Sequence, residues 1–252
     1  LIPEAISFSI LAGVDPQVGL FASFTMAVTI SITGGRPAMI SAATGAIALV
    51  IAPLVLSHGI NYLIAAVILG GVLQILLAIA GVVKLMRFIP RSVMVGFVNA
   101  LAILIFSAQF PHIAGKNISV WVLTGLGLLI IFTAPKLIKA IPAPLIAILF
   151  LTAVTYFSGI NVPTVGDQGE LPTGFPIFGI PDVAFNLDTL KVIFPYSLGI
   201  AMVGLIESLL TAKLVDDITD TRSDKSRESI GQGIANIVTG FFGGMGGCAM
   251  IG

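Results

Sequence analysis

Apolar runs of about 20 residues recur along the whole chain, and they constrain its fold more than any other feature of the sequence. A helix rises about 1.5 Å per residue, so a run of this length can cross the ~30 Å hydrocarbon core of a bilayer. Only 10% of the 252 residues are charged, against about a quarter in soluble domains. The sequence therefore predicts an all-α polytopic membrane protein.

Clusters of glycine, proline and charge separate the apolar segments. The predicted segments are 1–13, 17–34, 44–57, 61–83, 93–110, 119–134, 140–158, 192–214, 228–242 and one that begins at 248. As a helix the third would be about 21 Å long, too short to span alone, and the segment after Gly247 is a candidate partner for it. Both ends of the chain read as the interior of transmembrane elements, so we expect a piece of a longer protein.

The basic residues predict the orientation, because cytoplasmic loops carry an excess of lysine and arginine. With the N-terminus inside, two of the twelve basic residues, Lys116 and Lys191, fall outside. The ten inside are Arg36, Lys84, Arg87, Arg91, Lys136, Lys139, Lys213, Arg222, Lys225 and Arg227. The longest connection, about 159–190, lies outside and is predicted to be an ordered connector with short extended pieces. We expect a multi-pass protein of the plasma membrane, the inner membrane in a bacterium.

Several other classes of protein are disfavoured. A net charge of zero argues against a nucleic-acid partner. The sequence contains no nucleotide-binding P-loop and a single cysteine, Cys248. A primary ATP-driven pump would therefore need another subunit. His58 and His112 have no metal-ligand spacing between them. No motif indicates an enzyme, so we expect no catalytic residues and no cofactor.

Two glycine-rich segments, 34–49 and 243–252, accompany the short helices. A helix that starts within the membrane exposes unpaired amides and the positive end of its dipole, which attract an anion. At the first segment, Ser41, Thr44 and Gly45 could add hydroxyl donors and close backbone approach. Two interrupted segments in the halves of an inverted repeat are typical of secondary transporters. The alternative is that these glycines only allow tight helix packing.

Glu207 is an acid deep inside an apolar run, and Thr211 lies one helical turn further along the same face. An acid at the centre of a span costs about 2.5–3.5 kcal/mol on insertion scales, which favours a functional role. Two oxygens on one face suit a hard cation such as Na⁺, while a carboxyl group that binds a proton suits H⁺. Alternatively, Glu207 could reach the cytoplasmic interface or pair with Lys213 or Arg222.

Glu4 is a second acid near an apolar segment, and Phe8 follows it four residues later. If the helix extends further at its N-terminal end, the two side chains would face the bundle interior. If the helix starts here, Glu4 would be an ordinary interfacial charge.

The stretch 216–247 resembles the sequence after the eighth span of the SulP (SLC26-like) anion transporters, in their bacterial members. An acidic loop ends in Ser226, Arg227 and Glu228, with arginine where the family usually has lysine, and GQGIAN follows at 231–236. The segments AGVDPQVGLFASF at 12–24 and GGRPAMISAATGA at 34–46 are similar to the family's second span and third half-helix. Ala42 and Ala43 depart from the family, where a residue pair ending in proline is common.

The resemblance implies the seven-plus-seven inverted-repeat fold of UraA- and SLC26-like transporters, truncated, with core and gate domains and two half-helices. It implies a first repeat at 1–158, an extracytoplasmic connector at 159–191 and the start of the second repeat at 192–252. The chain would end at the start of the tenth segment, with a cytoplasmic STAS domain beyond Gly252. Dimers are usual in the family, so a homodimer within the lipid bilayer is expected.

The resemblance also implies roles for particular residues. In the family, the anion sits between the N-termini of the third and tenth helices, and the acid on the eighth span couples transport to a cation. The matching anion-site residues are Ala43, Thr44, Gly45, Gly247, Cys248 and Ala249, with Glu4 and Phe8 lining the same pocket. Glu207 matches the coupling acid, with Thr211 beside it. Glu4 departs from relatives that carry an uncharged residue there, and an extra acid favours proton coupling.

We therefore predict a secondary active transporter of an inorganic anion such as sulfate or bicarbonate, coupled to H⁺ or Na⁺ and working by an elevator-type movement. A nucleobase symporter of the same architecture is the first alternative. The second is a membrane scaffold or sensor that does not transport.

Overall fold

The computed structural model describes residues 1–84, 91–137 and 141–250. Its helices are α1 (Ile2–Ala12), α2 (Pro16–Thr33), α3 (Gly45–His58), α4 (Ile60–Ile79), α5 (Arg91–Gln109), α6 (Ile118–Leu137), α7 (Ala143–Ser158), α8 (Leu187–Thr219) and α9 (Lys225–Phe241). Two short strands, β1 (Ser41–Ala42) and β2 (Cys248–Ala249), form an antiparallel pair. Arg87 and Lys139, two of the basic residues assigned to the inside, lie outside the described residues.

Each of the first nine predicted segments coincides with a helix, and the predicted bounds err mainly at helix ends. Helix α8 extends beyond 192–214 at both ends, and Asn186 caps its first turn: the N–H of Thr189 donates to Oδ1 of Asn186 at 2.8 Å. Asp224 caps α9 in the same way, accepting from the N–H of Arg227 at 2.9 Å. The helix predicted to begin at 248 is wrong at its start, since residues 248 and 249 are extended and pair with β1.

Among the residues that the structure describes, five helical stretches are long and apolar enough to cross a membrane, judged by length and composition. They are Pro16–Thr33, Ile60–Ile79, Val95–His112, Ile118–Leu137 and Leu187–Thr219. The apolar helices α1, α3 and α7 are shorter. Helix α9 belongs to neither group, and the residues that it buries include Glu228, Gln232 and Asn236. The apolar segment predicted at 228–242 is therefore an amphipathic helix whose polar side chains face the protein.

The chain divides into two compact units, Leu1–Ile103 with Gln168–Gly252, and Leu104–Asp167. In the first unit, α4 packs on α8 and α9, and α9 also packs on α2. Helices α4 and α9 meet at Gly71 and Gly233: a Cβ atom on Gly233 would lie 2.6 Å from the carbonyl oxygen of Gly71. Small residues permit this close approach, as they do at helix crossings in membranes.

The part of the connector that starts at Gln168 belongs to the first unit and contacts two of its helices. The N–H of Gly179 donates to the carbonyl of Phe241 at 2.7 Å, and the rings of Phe178 and Phe241 stack with centroids 5.4 Å apart. At its other end, the N–H of Gln17 donates to the carbonyl of Glu170 at 3.2 Å. These contacts tie the connector to the start of α2 and the end of α9.

The second unit contains the end of α5 together with α6 and α7, which pack against each other. Small residues line this packing, and a Cβ atom on Gly127 would lie 3.1 Å from Cδ1 of Leu151. The predicted site residues all belong to the first unit.

Candidate functional site

The two glycine-rich segments meet through their strands. Ser41 pairs with Ala249, and Ala42 pairs with Cys248. The N–H of Met250 also donates to the carbonyl of Ile40 at 2.9 Å, which extends the pairing. The segment after Gly247 therefore pairs with the strand that precedes the short third segment, not with helix α3 itself.

Helix α3 begins at Gly45, separated from the end of β1 by two residues, and lies inside the first unit. Thr44 is its N-cap residue and has an extended backbone, with φ −126° and ψ 152°. The side chain of Thr44 makes no capping hydrogen bond, and the first-turn residues Gly45, Ala46 and Ile47 are buried. Amides in a first helical turn have no acceptor within their own helix, so this helix start presents N–H groups and a partial positive charge.

Glu207 lies in the second half of α8 with 7% of its surface exposed. The thiol of Cys248 donates to Oε2 of Glu207 at 2.8 Å. The hydroxyl oxygen of Thr44 lies 3.1 Å from Sγ of Cys248 on its other side. A chain of hydrogen-bonding groups therefore links the start of α3, strand β2 and the acid of α8.

Thr211 is buried one turn beyond Glu207, but its hydroxyl donates to the backbone carbonyl of Glu207 at 2.9 Å. The hydrogen of this hydroxyl is thus committed to the helix backbone, while the oxygen keeps its lone pairs as acceptor sites. Among the described residues, Glu207 forms no ion pair with Lys213 or Arg222, so the structure gives the pairing alternative no support.

The remaining predicted residues divide between the interior and the surface. Ser41, Ala43 and Ala249 are completely buried beside the strand pair. Phe8 is partly buried and packs against the apolar core, whereas Glu4 is exposed on the first turn of α1. The structure thus gathers the predicted residues of α3, α8 and the two strands, and leaves Glu4 at the surface of this chain.

Sequence reasoning missed several polar residues that support the site. The N–H of Ala249 donates to Oγ of Ser208 at 3.1 Å, and the N–H of Ala43 donates to Oγ of Ser23 at 3.4 Å. Both serines lie within apolar helices, Ser208 completely buried and Ser23 partly buried, and a hydroxyl group with little access to water needs a partner. Ser208 directly follows Glu207, and this position next to an intramembrane acid could have identified it from the sequence as a candidate site residue.

The neighbourhood of β2 also includes a backbone contact that allows only glycine. A Cβ atom on Gly247 would lie 1.9 Å from the carbonyl oxygen of Ala42 and 2.8 Å from Sδ of Met26. The close approach of the two glycine-rich segments therefore requires glycine at 247.

Comparison with known proteins identifies the family. Residues 1–120 and 114–251 match the sulfate permease family. The chain belongs to this family. The resemblance to the SulP transporters is thereby confirmed.

Curated relatives of the family match nearly all of this chain. It is 59% identical over 252 residues to a Bacillus subtilis protein named Putative sulfate transporter YbaR, with 100% of this chain and 53% of that protein covered. It is 26% identical to the bicarbonate transporter BicA of Picosynechococcus, with 98% of this chain and 49% of that protein covered. The chain spans about half the length of the curated relatives that it matches. The family and these relatives are membrane transporters, not enzymes, as predicted.

Solved structures confirm the predicted fold. The transmembrane domain of a cyanobacterial bicarbonate transporter BicA matches with a TM-score of 0.85 at 25% identity, over 98% of this chain and 70% of that one. Murine Slc26a9, an anion transporter in its inward-facing state, matches with a TM-score of 0.78 at 18% identity, over 99% of this chain and 49% of that one. The similarity to Slc26a9 concerns the fold alone.

Proposed function

We propose that the protein containing this chain is a secondary active transporter of inorganic anions of the sulfate and bicarbonate class. The observation that carries the proposal is the buried start of α3, where uncapped first-turn amides adjoin the hydroxyl group of Thr44. Such a group of donors stabilises an anion without a full positive charge in the membrane. Ala43, Gly45, Gly247, Cys248 and Ala249 would form its surroundings, with Ser41 behind them.

We further propose that Glu207 carries the coupling cation, H⁺ or Na⁺. Its carboxyl group is buried and is linked through Cys248 to the start of α3. Binding of a cation at Glu207 would therefore change the affinity of the anion site. The lone pairs of Thr211 would complete a Na⁺ site with the carboxylate, since Na⁺ prefers oxygen ligands. Glu4 and Phe8 remain proposed lining residues for the same pocket in the complete protein.

The relatives are longer than this chain, so the full-length protein has parts that this chain lacks, and the family indicates what they are. We propose a complete fold of two inverted repeats, with the first repeat at 1–158, the connector at 159–191 and the start of the second repeat at 192–252. A cytoplasmic STAS domain, a homodimer and elevator-type movement of a core domain belong to the same proposal. The excess of basic residues in the predicted inside loops supports an inner-membrane protein with its N-terminus in the cytoplasm.

The test is uptake of labelled sulfate and labelled bicarbonate by proteoliposomes that contain the full-length protein, with an imposed Na⁺ or pH gradient. We expect uptake of at least one anion to depend on one of the gradients. Glu207→Gln keeps the size of the side chain but removes its ability to bind a cation by charge, so gradient-dependent uptake should be lost. Asp217→Asn is the matched control, because Asp217 lies on the same helix but is exposed.

Each outcome bears on a different part of the proposal. Wild-type protein that takes up neither anion would reject the transport function, and uptake that uracil displaces would favour a nucleobase transporter. If Glu207→Gln keeps the cation dependence of the wild type, Glu207 does not carry the coupling cation. Anion binding that survives bulky substitutions at both Thr44 and Ala249 would exclude the site at the start of α3.

A further inference from the structure

Helix α9 buries three polar side chains spaced four residues apart: Glu228, Gln232 and Asn236. All three are completely buried. Residues at this spacing lie along one face of a helix, and we call these three the α9 ladder. In an apolar surrounding each polar group is costly unless it is hydrogen-bonded, so the partners of the ladder indicate its purpose.

Glu228 holds the chain that leads from α2 towards β1. Its Oε2 atom accepts hydrogen bonds from the backbone N–H groups of Gly35 at 2.8 Å and Arg36 at 3.2 Å. Its Oε1 atom accepts from Nε2 of Gln232 at 2.9 Å. The carboxyl group of Glu228 is therefore fully engaged, and it fixes both the turn and the orientation of the next side chain in the ladder.

Gln232 contacts strand β1. Its Nε2 atom donates to Oγ of Ser41 as well as to Glu228. Its carbonyl oxygen, Oε1, is buried and has no hydrogen-bond partner among the described residues. An unpaired buried oxygen destabilises the folded state. An apolar side chain at position 232 would stabilise the folded state at least as well as this glutamine. The hydrogen bond from Gln232 to Ser41 therefore points to a positioning role.

Asn236 contacts the backbone just before strand β2. Its Oδ1 atom accepts from the N–H of Gly247 at 2.9 Å, and its Nδ2 atom donates to the carbonyl of the same residue at 3.0 Å. Nδ2 also donates to Oε1 of Gln74 on α4 at 2.9 Å. Two bonds to one residue fix the direction of the backbone as well as its distance.

Strands β1 and β2 are only two residues long, and isolated two-stranded pairs are marginally stable. We propose that Gln232 and Asn236 are positioning residues that hold both halves of the anion site as one rigid body. Gln232 acts through Ser41 on the side of Thr44, and Asn236 acts through Gly247 on the side of Cys248. This inference rests on the proposed function, since it assigns these residues to the anion site proposed there.

The test measures the KM and the maximal rate of labelled sulfate and bicarbonate uptake by the full-length protein in proteoliposomes. Gln232→Met and Asn236→Leu keep approximately the side-chain volume but remove the hydrogen bonds. We expect KM to rise about fivefold in Gln232→Met, which loses one hydrogen bond to the site, and by more in Asn236→Leu, which loses two. The maximal rate should change less than about twofold in both. Thr239→Val is the matched control: Thr239 is equally buried on α9, but its hydroxyl group contacts Thr25 of α2 rather than a strand.

A double-mutant cycle separates positioning from a general loss of stability. If Gln232 acts through Ser41, the variants Ser41→Ala, Gln232→Met and the double variant should have similar KM values. Additive effects on KM would overturn the positioning role of Gln232, as would a wild-type KM in Gln232→Met. An equal rise in KM for Thr239→Val would show that any buried change on α9 suffices. Wild-type protein without uptake would instead reject the proposed function.

Discussion

The thiol of Cys248 lies 2.8 Å from Oε2 of Glu207, and this contact joins strand β2 to helix α8. The neighbouring N–H of Ala249 donates to Ser208 on the same helix at 3.1 Å. On its other side, the backbone leading into β2 is bound by Asn236 of α9. Strand β2 is therefore held between helices α8 and α9. Glu207, the residue proposed to bind the coupling cation, is hydrogen-bonded to this strand through Cys248.

The first prediction concerns the thiol of Cys248 as the link between Glu207 and Thr44. Cys248→Ala removes the donor to the carboxyl group, and hydrogen bonds to charged groups contribute about 1.5–3 kcal/mol. We expect the initial rate of gradient-driven sulfate or bicarbonate uptake to fall about tenfold in proteoliposomes, which corresponds to ~1.4 kcal/mol.

Cys248→Ser is the matched control, because a hydroxyl group can still accept from Thr44 and donate to Glu207. Its uptake should stay within about threefold of the wild type, allowing for the shorter reach of a hydroxyl group. If the alanine variant transports as fast as the serine variant, the link through Cys248 contributes nothing to transport.

Much of the fold was predictable because apolar length and glycine or proline punctuation encode helices locally. Glu207 could be found in the same way, since an acid stands out in an apolar run. The contacts between distant segments were less accessible. No local pattern shows that Gln232 reaches Ser41, or that Cys248 lies between Thr44 and Glu207, because those distances depend on how α8 and α9 pack around the strands.

The tenth segment illustrates why a local pattern can mislead. Residues 248–250 are apolar and follow glycines, which favours a helix start there. In the structure Cys248 and Ala249 are extended because their backbone groups pair with β1, a partner about 200 residues earlier in the chain.

Thr211 shows a similar limit of local patterns. Helical spacing places it on the face of Glu207, but its hydroxyl donates to the helix backbone, as threonine side chains in helices often do.

The second prediction concerns the contact between Gly247 and Ala42. In Gly247→Ala the new Cβ atom would lie 1.9 Å from a backbone oxygen, so the strands must separate. We expect the melting temperature of the purified full-length protein to fall by about 5 °C or more. Overpacking typically costs about 1–3 kcal/mol, and the backbone of Ala42 can move away from the new methyl group less easily than a side chain could. Gly125→Ala on α6 is the control, because nothing lies within 4 Å of the added atom. Equal melting temperatures for the two variants would contradict the close approach.

The third prediction tests the crossing of α4 and α9. Gly233→Ala would place a Cβ atom 2.6 Å from the carbonyl oxygen of Gly71, and Gly71→Ala would place one 2.5 Å from that of Gly233. Each variant should therefore be less stable by about 1–3 kcal/mol, measured by the loss of monodisperse protein on heating in detergent. Once one added methyl group has separated α4 and α9, adding the second methyl group costs less stability. The double variant should thus lose less than the sum of the single losses, and strict additivity would argue against a shared crossing.

The last prediction concerns Arg36, which anchors the segment after α2 to the end of α8. Its side chain is 5% exposed and lies 3.3 Å from Asp216, whose side chain is 15% exposed. The guanidinium group also donates to the hydroxyl group of Thr221 at 2.7 Å and to the carbonyl of Val215 at 3.2 Å. A cation at the C-terminal end of a helix is further stabilised by the helix dipole. Removing one partner of this pair is therefore expected to cost far more than breaking a surface ion pair, because the other charge stays buried and unpaired.

Arg36→Gln should destabilise the protein by about 3 kcal/mol, because it leaves the carboxylate of Asp216 with little water and no cation. Thermal unfolding of the purified full-length protein measures the effect. Lys191→Gln is the control: Lys191 and Asp188 also form an ion pair, at 3.1 Å, but their side chains are 75% and 86% exposed. That loss should stay below about 1 kcal/mol. Adding Asp216→Asn to Arg36→Gln should restore part of the stability by removing the unpaired charge. An Arg36→Gln variant as stable as Lys191→Gln, or a double variant less stable than Arg36→Gln, would show that the ion pair does not anchor this segment.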